Sequence, residues 1–100
     1  MKKTSTSLRR WGWARMDYLK ENEKALVAQM GADELYQHCL MIQEQAEHRK
    51  RSMMEAIRKN PDNKVTEKDK AADPMAWIGR INNFQAIVHE TIYNDLIFSQ

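Results

Sequence analysis

A chain of 100 residues with 42% hydrophobic and 30% charged content and a formal charge of +2 is too polar to span a bilayer and too apolar to stay disordered. One small helical domain, residues 1–100, is expected. Three glycines and two prolines against seven methionines describe helix composition and exclude a β-sandwich or a Gly-rich phosphate-binding fold. So short a chain buries a thin core, and self-association as a dimer is expected.

Residues 1–6 read as a basic arm. Residues 1–24 carry seven Lys or Arg against three acids, and residues 25–100 carry nine against eleven, so contact with an anion, DNA included, would fall to the amino-terminal part. Ser7 can cap a first helix whose Leu8, Leu19, Leu26 and Met30 lie within about 40° at 100° per residue. Trp11 and Tyr18 lie beside them. Arg15, Asn22 and Glu23 intrude on that sector, so the helix bends near Glu21–Glu23 or holds them at its edge. Gly31 is expected to stop it in the left-handed conformation. Asp33 then caps a second helix, bringing Leu26 and Met30 near Leu35 and Cys39.

That second helix carries Leu35, Cys39, Ile42, Ala46, Met53 and Ile57 in a heptad-like seam and ends at Lys59 before Asn60-Pro61-Asp62-Asn63. Residues 60–72 form a loop. Thr66 with Asp69 resembles a capping box and predicts a short helical turn over 66–72. Asp73 as cap with Pro74 at the first helical position opens the last helix. Its Trp77, Ile78, Ile81, Phe84, Val88, Ile92 and Leu96 form a buried stripe about 120° wide. The expected architecture is all-α: a small bundle of three main helices with a short helical turn before the last.

The segment Val65 to Ile97, VTEKDKAADPMAWIGRINNFQAIVHETIYNDLI, with YLKENEKAL at Tyr18 to Leu26 and IQEQAEHR at Ile42 to Arg49, resembles the TnpV family of transposon-encoded proteins. The W-[IV]-G-R-[IM]-N-N element at Trp77 to Asn83 and the closing N-[DE]-L-I at Asn94 to Ile97 carry most of the specificity. The resemblance implies a small accessory protein borne on bacterial mobile elements. Family members usually open on an acidic, Pro-containing leader, where this chain has MKKTSTSLRR.

Catalysis finds little support in the residues. His38, His48 and His89 share no metal-ligand spacing with one another or with Cys39, and no cofactor or metal is expected. Cys39 lies in the seam, where a small buried hydrophobe is the ordinary explanation, and it has no second cysteine for a disulfide. Glu44, Glu47 and Glu55 alternate with Arg51 and Arg58 as solvated helix pairs. With no Walker sequence or nucleophile elbow, the chain reads as a non-enzyme without a small-molecule substrate.

Two surfaces remain. Around Gly79, Arg80, Asn82 and Asn83, either a partner approaches over the glycine while Arg80 binds a carboxylate or phosphate, or another helix of the same bundle packs there. In the second case Asn82 or Asn83 bonds the loop before Asp73. On the first helix, Arg9, Trp13, Lys20 and Lys24 share a face with Arg10 nearby, which suits phosphate contact with base stacking, or a protein contact closed by Trp13. The leading expectation is an accessory protein that binds a protein partner through Trp13, Gly79, Arg80, Asn82 and Asn83. The alternatives are DNA binding through Lys2, Lys3, Arg9, Arg10, Trp13, Lys20 and Lys24, or anti-CRISPR-like inhibition of a host defence nuclease. The apolar runs fall far short of the about 18 residues a membrane span needs, and no apolar segment follows Lys2-Lys3, so a cytoplasmic location is expected.

Overall fold

Residues 7–99 are described in this computed structural model; the basic arm, with Lys2 and Lys3, lies outside them. They form α1 (Arg10–Asn22), α2 (Lys24–Lys59), a 3-10 turn (Pro61–Asn63), α3 (Glu67–Ala72), α4 (Pro74–Ile92) and a π-turn (Tyr93–Ile97). The fold is all-α, with no strand among the described residues. The described residues divide into two compact units, one up to Glu47 together with the segment from Tyr93, the other His48–Ile92.

In the first unit, α1 begins without the expected Ser7 cap. Its N-cap is Arg9, whose own side chain makes no cap bond, and the role passes to Gln43 of α2. The Arg9 amide donates to Gln43 Oε1, and Gln43 Nε2 donates to Ser7 O at 3.2 Å. Gln43 is buried for this purpose, its amide satisfied at both ends. Gly12 permits the approach, because a Cβ there would stand 2.6 Å from Gln43 Oε1 and 2.7 Å from Leu8 Cδ2. Leu8, Met16, Leu19, Leu35 and Cys39 form the core beneath.

The polar sector of the first helix breaks it where expected: Glu23 leaves helical geometry at φ −130°, ψ 52°. Leu26 therefore falls out of register with the buried face of α1, and it is exposed rather than core. Gly31 has the expected positive φ of 81°, but its ψ of 167° places it outside the left-handed helical well, in extended backbone open almost only to glycine.

Arg15 does not sit at a solvent edge. It is 6% exposed and donates from Nη1 to Ile97 O at 2.8 Å and to Ser99 O, and from Nε to His38 Nε2 at 3.2 Å. Those carbonyls belong to the terminal segment, which the aromatic rings also hold: Trp11 to Tyr93 at 5.0 Å, Tyr18 to Phe98 at 5.6 Å and Tyr93 to Phe98 at 5.4 Å between centroids. The segment turns with an i to i+5 bond, Phe98 N–H to Tyr93 O at 2.9 Å. The extra residue in that turn advances the buried position, so Ile97 is fully buried and the expected Leu96 only half-buried.

In the second unit α2 buries Met54, with Met53, the expected seam residue, half-buried. Asn60 Oδ1 accepts from Asp62 N–H at 3.0 Å and Asn63 Nδ2 donates to Ile57 O at 2.8 Å, tying the 3-10 turn to the helix end. The capping box is complete, with Thr66 Oγ1 accepting from Asp69 N–H at 3.2 Å and Asp69 Oδ2 accepting from Thr66 N–H at 3.1 Å. The Thr66 hydroxyl also donates to Asp69 Oδ2 at 2.7 Å, and this bond, then that from the Thr66 N–H, with Arg80 and Lys64 nearby, holds the Asp69 carboxyl below its ordinary pKa. Asp73 Oδ1 accepts from Ala76 N–H at 3.2 Å and opens α4 as expected. Trp77 Nε1 donates to Val65 O at 3.1 Å, packing α3 and its loop on α4. Ile81, Val88 and Ile92 are buried, but Ile78, about 60° round the helix from Ile81, is exposed rather than part of the buried stripe.

Candidate functional site

The outer face of α4 is the surface that the sequence singled out and the fold leaves open. Met75, Gly79, Asn82 and Ala86 follow one another at spacings of four, three and four, within about 60° of arc. All four are exposed. Met75 is 77% exposed, and the face is flanked by Ile78 at 46% on one side and by Asn83 and Ile87, the latter at 56%, on the other. Ile78 and Ile87, nine residues apart, point to opposite sides of α4, so the large apolar side chain on the face itself is Met75.

Gly79 does not admit another helix among the described residues: beyond its own turn of α4, none of their atoms comes within 4 Å of the position its Cβ would take. Nor do the asparagines reach the loop before Asp73. Arg80 does, donating from Nη1 to Lys64 O at 3.2 Å, which turns it aside from the face and leaves Asn82 and Asn83 exposed. Between Asp73 and Glu90 the only formally charged residue is Arg80, so the face itself is free of charge.

The basic surface of the first unit is smaller than its sequence promised. Arg9 pairs with Glu47, Nη2 to Oε1 at 2.8 Å and Nε to Oε2 at 3.0 Å. Lys24 does not continue the α1 face, because the break at Glu23 intervenes. Arg10 lies over the Trp11 ring at 5.4 Å, and Lys20 remains exposed with Trp13, itself 52% exposed.

The groups that could have carried chemistry are occupied or closed. Cys39 is fully buried, and burial pushes its thiol pKa up. His38, its neighbour, accepts from Arg15; burial and that guanidinium push its pKa down. No cluster of three His, Cys, Asp or Glu side chains able to hold a metal occurs among the described residues, and no helix among them is long and apolar enough to cross a membrane.

Sequence reasoning missed Arg15 and Gln43, both buried polar groups whose partners are distant in the chain. The only signal was negative: each falls on or beside an apolar face where a hydrophobe would be ordinary.

Residues 1–97 match the family described as transposon-encoded protein TnpV. The chain belongs to the TnpV family. The expected resemblance, read from Trp77 to Asn83 and Asn94 to Ile97, thus extends over nearly the whole sequence. No curated protein and no solved structure matches it. The specific Trp77–Asn83 element of this TnpV protein splits between roles: Trp77, Arg80 and Ile81 build the second unit, while Gly79, Asn82 and Asn83 lie open on its surface.

Proposed function

We propose that this TnpV protein is a non-catalytic, cytoplasmic accessory protein of its transposon that acts by binding protein. The observation that carries the reading is the exposed face of α4, where Gly79 leaves open space in line with Met75, Asn82 and Ala86 and Ile78 lies exposed at its edge. A face of this kind gains by excluding water against another apolar surface, and the flat ground over Gly79 lets a backbone approach closely. Asn82 and Asn83 supply the polar rim that orients the contact. The closed Cys39 thiol and the engaged His38 support the absence of a nucleophile and base pair.

The test is co-elution of the purified chain with the transposition and regulatory proteins of its element, repeated with Ile78→Glu. The reading expects a complex that Ile78→Glu removes and Trp13→Ala weakens less. A complex indifferent to Ile78→Glu would move the contact off α4, and the absence of any protein association would sink the reading. Contact with DNA is the second reading, favoured by Arg10, Trp13 and Lys20 lying exposed on α1. It expects duplex affinity that falls steeply with salt and collapses in the double variant Arg10→Glu, Lys20→Glu. Inhibition of a defence nuclease would require blockage of a surface, since a chain of net charge +2 does not mimic phosphate, and unimpaired nuclease activity at saturating protein removes it.

A further inference from the structure

We infer that the groove between α1 and the first turns of α2 binds a small amphipathic carboxylate, Lys20 meeting the anion and the apolar walls holding its chain. The groove belongs wholly to the first unit and owes nothing to α4. Its volume of about 480 Å³ falls inside the range of roughly 300–1,000 Å³ that small-ligand sites occupy. Met16 and Leu35, both buried in the core cluster, lie deepest, and Val27 and the ring of Tyr36 wall it. Gly31 keeps it open: at φ 81° an L side chain is strained, and nothing lies within 4 Å of the place its Cβ would take.

Charge selects the class of ligand. Lys20 is the only charged residue lining the groove among the described residues, and it makes no ion pair with any of them. Its charge bears on the groove and not on water alone. The Cys39 thiol, pushed up by burial, is drawn partly back by Arg15 and then by Lys20, and Cys39 packs in one cluster with Met16 and Leu35. Arg15 is engaged by Ile97 O, Ser99 O and His38, so the cation open to a ligand is Lys20. One ammonium at the rim of an otherwise apolar groove complements one negative charge on an apolar body. A phosphate monoester, with close to two charges, leaves one uncompensated beside apolar walls, and a cationic amphiphile is repelled. An uncharged chain covers Lys20 without giving it a partner, which costs affinity.

The experiment is calorimetric titration of the full chain with sodium decanoate below its micellar concentration, with amide spectra recorded on the same sample. One decanoate per chain is expected, with saturable shifts at Gly31, Ala32 and Tyr36. Absence of saturation by about 1 mM, or shifts centred elsewhere, overturns the proposal. Octanoate is expected to bind about tenfold more weakly, since each buried methylene contributes roughly a factor of four. Lys20→Met keeps an apolar stem and removes the charge, so decanoate affinity falls at least about fivefold while that of decanol does not fall. Decanoate binding indifferent to Lys20→Met, or matched by decylammonium, refutes the proposal. Ala32→Trp fills the groove and ends the binding of both decanoate and decanol; retained affinity puts the ligand elsewhere and overturns it. Both substitutions are at exposed positions, so both variants stay helical by circular dichroism. Should Ala32→Trp fail to fold, Lys20→Met and the shifts of the parent chain decide the matter.

Discussion

Replacing Arg15 by methionine tests whether one buried guanidinium docks the carboxyl-terminal segment. Arg15 donates to Ile97 O at 2.8 Å, to Ser99 O and to His38 Nε2 at 3.2 Å, and no carboxylate hydrogen-bonds it among the described residues. Hydrogen bonds from a charged donor contribute about 1.5–3 kcal/mol each, while removing a guanidinium from water costs several kcal/mol and offsets most of that sum. Methionine recovers the desolvation but strands the buried Ile97 carbonyl, a loss of about 1–3 kcal/mol if it stays buried. The loss is limited by undocking, because the segment can rehydrate once its contacts of Tyr93 with Trp11 and of Phe98 with Tyr18 are given up. The expected destabilisation is about 2 kcal/mol, read as a drop of roughly 1–2 M in the urea midpoint for a chain of this size. Faster hydrogen exchange at the Phe98 amide, which closes the π-turn, should accompany it. A midpoint within about 0.5 kcal/mol of the parent, with Phe98 still protected, would refute the assignment of docking to Arg15.

Three further outcomes follow from the same packing. His38 has a depressed pKa in the folded chain, so its contribution to stability is present above the unfolded value near 6.5 and is lost as pH falls through the folded value; His38→Gln, whose carbonyl still accepts, should flatten that part of the stability curve, and an unchanged curve would reject the role. The Cys39 thiol, fully buried with a raised pKa, should react with a thiol reagent only at the rate of unfolding, and rapid labelling of the native protein would contradict its place in the core. Gly31→Ala should cost about 1–3 kcal/mol in thermal unfolding, because an L side chain is strained at φ 81° and ψ 167° even though nothing crowds the site; a neutral substitution would mean that the backbone is not held there.

Local signals in the sequence proved the most readable. Asn60-Pro61, the Thr66–Asp69 box and Asp73-Pro74 each encode a boundary through their own backbone chemistry, and each stands where expected. The intrusion of Glu23 on an apolar sector located the end of α1 in the same way. What could not be read were bonds between residues far apart in sequence. Gln43 replaces Ser7 in capping α1 from 34 residues beyond Arg9, and Arg15 reaches Ile97 across 82. The π-turn, which exchanges Leu96 for Ile97, leaves no mark in a pattern of 3.6 residues per turn. On α4, the element singled out at Gly79 to Asn83 lay at the surface, but the intramolecular role expected of the asparagines fell to Arg80 because only its side chain reaches Lys64 O.

The central claim is that the open face of α4 is a protein-contact surface, and light scattering of the chain beside Ile78→Glu over a concentration series tests it most directly. The account predicts a mass above 11.8 kDa for the parent once its partner protein of the element is added and 11.8 kDa for the variant's own peak under the same conditions, with both equally helical. Equal masses for the two proteins, alone and with the proteins of the element added, would contradict it.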